Sequence, residues 1–225
     1  MTSTPPTLDF ERTLFADGIR VLGAVDEVGR GAPAGPATCA IVVIDAGRDT
    51  VPAGLRDSKL LSASVREELV PRIHQWVLAG AVGHASASEV DEYGLTVALR
   101  VAGQRALAQL EVPLDAIVLD GSFDWLSPPK QADLLLPAST FHVRMPPVTT
   151  KVKADLTCAS VAAASVLAKV ARDAVMVRLA QSYPEYGWAS NKGYGSAQHL
   201  DAVRRLGLTP HHRASWRFGA LEATP

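Results

Sequence analysis

The chain has 225 residues, 48% of them hydrophobic and 20% charged, which is enough apolar side chain to close a full core. A formal net charge of −1 and a pI near 6.6 exclude any argument for a polyanionic partner from overall charge. The first eighteen residues, MTSTPPTLDFERTLFADG, are polar and acidic rather than signal-peptide-like, and no apolar run reaches the roughly 18 residues of a membrane span. Cys39 and Cys158 lie far apart in apolar surroundings and read as small buried hydrophobes in a reducing compartment, so the expectation is a cytoplasmic protein with no membrane contact.

Val21 to Asp26 and Thr38 to Ile44 are β-branched runs separated by GRGAPAGP, which predicts two strands joined by a special turn. Ser62 to Val77 has helical spacing in Val65, Leu69, Ile73 and Val77, and Pro71 is expected to kink or split that helix. Ala81 to Ala87 predicts a third strand. Leu95 to Leu110 places Leu95, Leu99, Ala102, Ala106 and Leu110 on one helical face, and Ala116 to Leu119 is the wholly apolar run of a strand buried on both sides. Pro128 to Pro147 reads as a proline-rich surface excursion with a strand at Ser139 to Arg144. Leu156 to Ala180 is the longest helical segment, rich enough in alanine to pack closely on a sheet, and Ala197 to Leu206 is a last helix. Without repeats or a clear linker, the strand and helix alternation argues for one domain of α/β layers.

The most specific local feature is AVDEVGRG, Ala24 to Gly31, where two adjacent carboxylates close a strand and a Gly-Arg-Gly loop follows. A DE pair alone reads as a solvated strand end. The glycines allow positive φ and close approach of backbone N–H groups to sugar or phosphate oxygens, and Arg30 adds a charged donor fork. Neighbours on a regular strand face opposite ways, so for Asp26 and Glu27 to serve one site the strand is expected to end or distort near Asp26. Asp120 ends the buried run AIVLD, where sheet-based sites collect ligands, with a turn aspartate before Gly121 as the plainer reading. Asp155 opens the longest helix and reads equally as a helix cap. If Asp26, Glu27, Asp120 and Asp155 converge, they form an all-oxygen cluster suited to Mg2+ or Mn2+. Spacing alone leaves that open.

GAVDEVGRGAPAGP resembles the N-terminal signature of the bacterial ribonuclease HII (type 2 ribonuclease H) family, and further blocks agree in order. These are DSKLLSASVREEL (Asp57 to Leu69), VLDG (Val118 to Gly121), KADLTCASVAAASVLAKVARD (Lys153 to Asp173) and YPEYGWASNKGYGSAQHLDAVRRLGLTPHHRASW (Tyr183 to Trp216). The resemblance spans roughly residues 20 to 218. It implies a ribonuclease H-like fold, a mixed sheet flanked by helices, with a core of about 20–182 and a helical C-terminal extension of about 183–218. It implies a catalytic metal site of Asp26, Glu27, Asp120 and Asp155 holding two Mn2+ or Mg2+ ions. It further implies that Gly29, Arg30, Gly31 and Tyr194 read the ribonucleotide 2′-OH, and that Lys59 and Lys192 contact phosphate.

The implied reaction is hydrolysis of the RNA strand of RNA–DNA hybrids, and cutting on the 5′ side of single ribonucleotides in duplex DNA to leave 3′-hydroxyl and 5′-phosphate ends, by a monomer active in ribonucleotide removal. A two-metal centre supplies an activated water, charge neutralisation at phosphorus and help for the leaving oxygen. Departures from the family pattern are Leu60 where a second lysine is common, Ala32 for a frequent proline and Trp216 for a frequent phenylalanine. Ser165, Lys169 and Arg172 share a helical face without an assigned role, and His199, His211 and His212 lack common metal-ligand spacing. Another ribonuclease H-like metal nuclease would lack the 2′-OH reader, a non-catalytic hybrid-binding protein would lose a carboxylate, and a small-molecule phosphatase would not need the cationic stretch from Lys192 to Arg217.

Overall fold

The computed structural model describes residues 4–128 and 145–216. The two β-branched runs form β1 (Val21–Val28) and β2 (Ala37–Asp45), paired antiparallel from Val21↔Asp45 to Val28↔Thr38. β3 (Ala79–Ala85) adds antiparallel to β2, whereas β4 (Ala116–Asp120) and β5 (Val148–Lys151) run parallel to β1 on its other side. The result is a mixed five-stranded sheet of order β3-β2-β1-β4-β5. β1 lies at its centre between β2 and β4, which is why these three strands are almost continuously buried.

Helices cover both faces. One face carries α1 (Asp9–Ala16), α2 (Ala63–Trp76) and α6 (Ala159–Ser182), whose alanines at 159, 162, 163, 164 and 168 let its axis lie close over Leu22, Ala24, Ala40 and Val42. The other carries α3 (Ala87–Tyr93) and α4 (Leu95–Leu107), packed on Val25, Ile41, Ile117 and Leu119. A third apolar cluster joins Ala34 and Met176 to Tyr186, Trp188, Ala202 and Val203, and anchors the C-terminal helices α7 (Trp188–Asn191) and α8 (Ala197–Leu206). Among the described residues no helix is long and apolar enough to cross a membrane.

Several expectations needed correction. Pro71 does not split α2, which starts on a Ser62 side-chain cap and runs unbroken to Trp76. The long helix is two elements, because Cys158 takes an extended conformation between α5 (Ala154–Thr157) and α6 and bridges Thr7. That kink leaves α6 without a side-chain cap from its own neighbourhood. Glu11 of α1 supplies one, accepting from the backbone N–H (2.9 Å) and Oγ (2.7 Å) of Ser160. The strand expected at Ser139 to Arg144, most of the Pro128 to Pro147 excursion, and Arg217 lie outside the described residues.

Candidate active site

Parallel pairing of β1 with β4 aligns Val25 with Leu119, so the next residues along, Asp26 and Asp120, emerge side by side at the same end of the sheet. β1 does not end or distort at Asp26, contrary to expectation, since regular pairing continues to Val28. Alternation therefore sends Asp26 to the α6 side, with Ala24, and Glu27 to the opposite side, with Val25. The two carboxylates still act on one another and on Asp120 through their charges, because they lie in the last pairs of the ladder before the strand ends at Val28. Asp26 is 3% exposed, and its Oδ1 accepts from the Glu27 N–H at 2.8 Å.

Asp155 enters from the chain that leaves β5 directly beside β4. It is not the helix cap that its position suggested. Lys153, with φ of 59°, occupies the cap position of α5, and the capping is done by Asp120, whose Oδ1 accepts from the N–H groups of Ala154 (2.7 Å) and Asp155 (3.4 Å). A side chain in that role typically adds about 1 kcal/mol. Here it also ties the end of β4 to the start of α5, fixing Asp120 against Asp155.

Lys59 sits within this group of acids. Its Nζ lies 2.9 Å from Asp155 Oδ2 and 3.5 Å from Asp57 Oδ1. Burial opposes its charge, but the bond to Asp155 and the fields of Asp57 and Asp26 outweigh that and hold the ammonium above its ordinary value. The acids show the converse. Burial first, then the charge of Glu27, pushes Asp26 well up; burial raises Glu27 against the pull of Arg30, 2.9 Å from its Oε1; burial and the charge of Asp155 raise Asp120. Ser165 lowers the pKa of Asp26 against these effects, and its Oγ meets Ser58 Oγ at 2.8 Å and Asp57 Oδ1 at 3.2 Å.

Among the described residues no group of three or more acidic, histidine or cysteine side chains is drawn tightly enough to grip a metal ion. The reasons are local: Lys59 holds Asp155, Arg30 holds one oxygen of Glu27, and backbone N–H groups hold Asp120. The donor set nonetheless fits a hard divalent cation. All four side chains offer oxygen, Glu27 Oε2 is buried with no hydrogen-bond partner among the described residues, and the mutual repulsion of the acids is met by two cations, the Lys59 ammonium and the Arg30 guanidinium.

The Gly-Arg-Gly loop leaves β1 immediately beyond Val28. Gly29 has φ of 88°, and a Cβ there would stand 2.7 Å from the Pro36 carbonyl oxygen and against Arg172; at Gly31 a Cβ would meet nothing within 4 Å. Tyr194 presents a ring that is 37% exposed, with the Arg172 guanidinium 5.3 Å and the Lys169 ammonium 5.8 Å from its centroid. Lys192 turns its Nζ to the Ala189 carbonyl and ends α7 with φ of 53°. Leu60, where a second lysine was expected, is half exposed.

Sequence reasoning did not assign Asp57, Ser58 and Ser165, the buried arginines Arg172 and Arg213, or the buried pair His199 and His212. Ser165 and Arg172 carried a signal in their shared helical spacing. The others are joined to the site only through tertiary contacts.

Residues 22–218 match the family model described as Ribonuclease HII. The chain is 44% identical to Ribonuclease HII of Streptomyces coelicolor, covering 100% of this chain and 88% of that one. Its fold is similar to ribonuclease H2 from Pyrococcus horikoshii, with a TM-score of 0.66 at 29% identity, covering 88% of this chain and 94% of the other. It is also similar, in fold alone, to Bst-RNase HIII in complex with Mn2+, with a TM-score of 0.64 at 18% identity over 88% of this chain and 68% of that one.

Proposed function

The chain belongs to the ribonuclease HII family and is a ribonuclease H, and from that premise we propose that it cuts RNA–DNA hybrids and duplex DNA on the 5′ side of embedded ribonucleotides, using divalent metal at Asp26, Glu27, Asp120 and Asp155. The observation that carries this reading is the convergence of Asp26 and Asp120 at the ends of adjacent parallel strands, with Asp155 and Glu27 acting electrostatically on the same group. Four carboxylates in mutual repulsion are costly to fold. A site that binds cations and a phosphodiester recovers that cost.

In this reading the four acids hold Mn2+ or Mg2+, and Bst-RNase HIII, of similar fold, has been solved with Mn2+. When bound, the metal supplies an activated water and stabilises the charge on the departing 3′ oxygen. The protein's own groups do the rest. Asp120 stays anchored through the α5 N–H groups, which fixes its second oxygen for a ligand. Lys59, paired with Asp155, supplies positive charge where the scissile phosphate arrives. Gly29, Arg30 and Gly31 lie next to Glu27 in sequence, so a ribose seated on that loop brings its own phosphate to the carboxylates. Reading the 2′-OH there separates RNA from DNA, with Tyr194 providing a face for the neighbouring sugar or base and Lys192 a phosphate contact. The products are 3′-hydroxyl and 5′-phosphate ends. The enzyme acts as a cytoplasmic monomer, which two buried free cysteines suit.

The test is cleavage of three end-labelled substrates of one sequence: all-DNA duplex, duplex with a single ribonucleotide, and RNA–DNA hybrid, each with Mn2+, Mg2+ or EDTA. Metal-dependent cutting 5′ to the ribonucleotide, with all-DNA untouched, is expected. Equal cutting of all-DNA would refute 2′-OH reading, and binding of hybrid without cutting would leave a binding protein.

A further inference from the structure

Arg172 and Arg213 are fully buried, and among the described residues neither forms an ion pair with a carboxylate. Burying one unpaired guanidinium is costly and burying two in one region more so, because each raises the cost of the other. Arg213 accordingly has its pKa pushed down to about 10, by burial first and then by Arg172, and remains charged at neutral pH. Such an expense calls for a reason beyond filling space.

Their hydrogen bonds supply one. Arg172 donates from Nε to the Pro36 carbonyl (2.9 Å), from Nη2 to Ala34 (3.0 Å) and from Nη1 to Lys192 (2.9 Å). Arg213 donates to the carbonyls of Gly29 (2.7 Å), Arg30 (3.0 Å) and Gly35 (3.3 Å). Between them the two forks hold the carbonyls at both ends of the turn, Gly29 and Arg30 at its start and Ala34, Gly35 and Pro36 at its finish, and join it to the turn that presents Tyr194. Backbone bonds cross the same seam: Ala34 N–H to Gly193 (3.2 Å), Gly35 N–H to His211 (2.8 Å) and Arg213 N–H to Pro33 (2.9 Å). Arg172 also lies across the Tyr194 ring, and Arg213 across Trp216 at 4.7 Å. A planar fork spreads five donors over three nitrogens in a fixed plane and so reaches carbonyls set apart on three residues, whereas an ammonium has its three donors on one atom at the end of a flexible stem.

We propose that Arg172 and Arg213 are the positioning residues that set ribonucleotide selectivity, clamping the Gly29–Pro36 loop and the Lys192–Tyr194 turn into one rigid reading surface. This rests on the reading that the loop and Tyr194 recognise the ribonucleotide. A 2′-OH differs from hydrogen by one donor and acceptor, so discrimination depends on holding backbone and ring in fixed register. The excess positive charge beneath the loop is compensated when a nucleic-acid phosphate lies above it.

Arg172→Lys and Arg213→Lys keep the charge and remove the multi-point geometry. The readout is the ratio of Ki for all-DNA duplex, as competitor, to KM for the same duplex with one ribonucleotide, in Mn2+. A loss of active fraction lowers apparent kcat and leaves this ratio unchanged. The expected result is that the ratio falls about fivefold or more in each variant, the equivalent of at least one neutral hydrogen bond, with Ki for all-DNA little altered. A wild-type ratio in folded variants, or equal weakening of both duplexes, overturns the clamp. A wild-type protein that does not prefer the ribonucleotide duplex removes the underlying reading as well, which separates the two failures. Should neither variant fold, amide exchange of the wild type decides. Ala34, Gly35 and Tyr194 should open with one common free energy, and the clamp is wrong if the loop opens independently of Tyr194.

Discussion

At the scale of single residues, Gly29 and Gly31 are separated only by Arg30 yet have separable roles. Gly29 needs its positive φ and has no room for a methyl group, so Gly29→Ala should cost about 2 kcal/mol or more and lower Tm by several degrees. Gly31 has neither constraint among the described residues. Gly31→Ala should leave Tm within about a degree of wild type while raising KM for a duplex with one ribonucleotide, because its methyl meets no described residue and faces the substrate in the proposed function. Thermal melts beside steady-state kinetics check both. An unchanged KM for Gly31→Ala would mean that the loop backbone does not approach the nucleic acid.

At the scale of elements, the C-terminal helices depend on a buried histidine pair whose protons are fixed by their neighbours. His199 donates through Nδ1 to the Tyr194 carbonyl (2.8 Å), and its Nε2 accepts from Trp188 Nε1 (3.0 Å) and His212 Nε2 (3.0 Å). His212 Nδ1 in turn accepts from the Thr209 N–H at 2.9 Å. No ring nitrogen is free to take a second proton, and burial followed by the proximity of His199 pushes His212 down to about 4. A histidine lowered in this way is neutral in the folded state but charges in the unfolded chain near 6.5, so its stabilisation is whole above pH 6.5 and is lost as pH falls toward 4. The loss is on the order of 3 kcal/mol. Urea unfolding at several pH values should show that slope in the wild type and a shallower one in His212→Gln; equal slopes would contradict it. At the other end of the molecule, Glu11→Ala removes the cap on α6 and leaves the Ser160 N–H and hydroxyl buried without an acceptor. It should cost about 1–3 kcal/mol, read as a lower Tm with no change in substrate preference.

At the scale of the whole molecule, residue period and order made much of the architecture readable. β1, β2, β4, α4 and α8 were predicted to within a few residues, because each has a strong apolar period and clear end signals. β5 carries no such pattern, being four half-exposed residues after a proline pair, and α3 is short enough that only the capping box of Ser86 and Glu89 marks its start. The carboxylates were named from their sequence blocks, but the way they meet was not legible. Parallel register places Asp26 beside Asp120, and a cap formed across 34 residues places Asp120 against Asp155. Arg172 and Arg213 were hidden for the same reason, since arginines in a sequence read as surface charge until tertiary contacts bury them.

In the proposed function these four carboxylates, with divalent metal, make the cut. That is tested most directly by single-turnover cleavage of a duplex containing one ribonucleotide, comparing wild type with Asp120→Asn. The asparagine keeps an oxygen to cap α5, so folding should be preserved and melting unchanged. The expected result is a rate at least about a hundredfold lower in the variant, with duplex binding retained and wild-type cutting abolished by EDTA. Cleavage by Asp120→Asn at the wild-type rate, or wild-type cleavage that persists in EDTA, would contradict it.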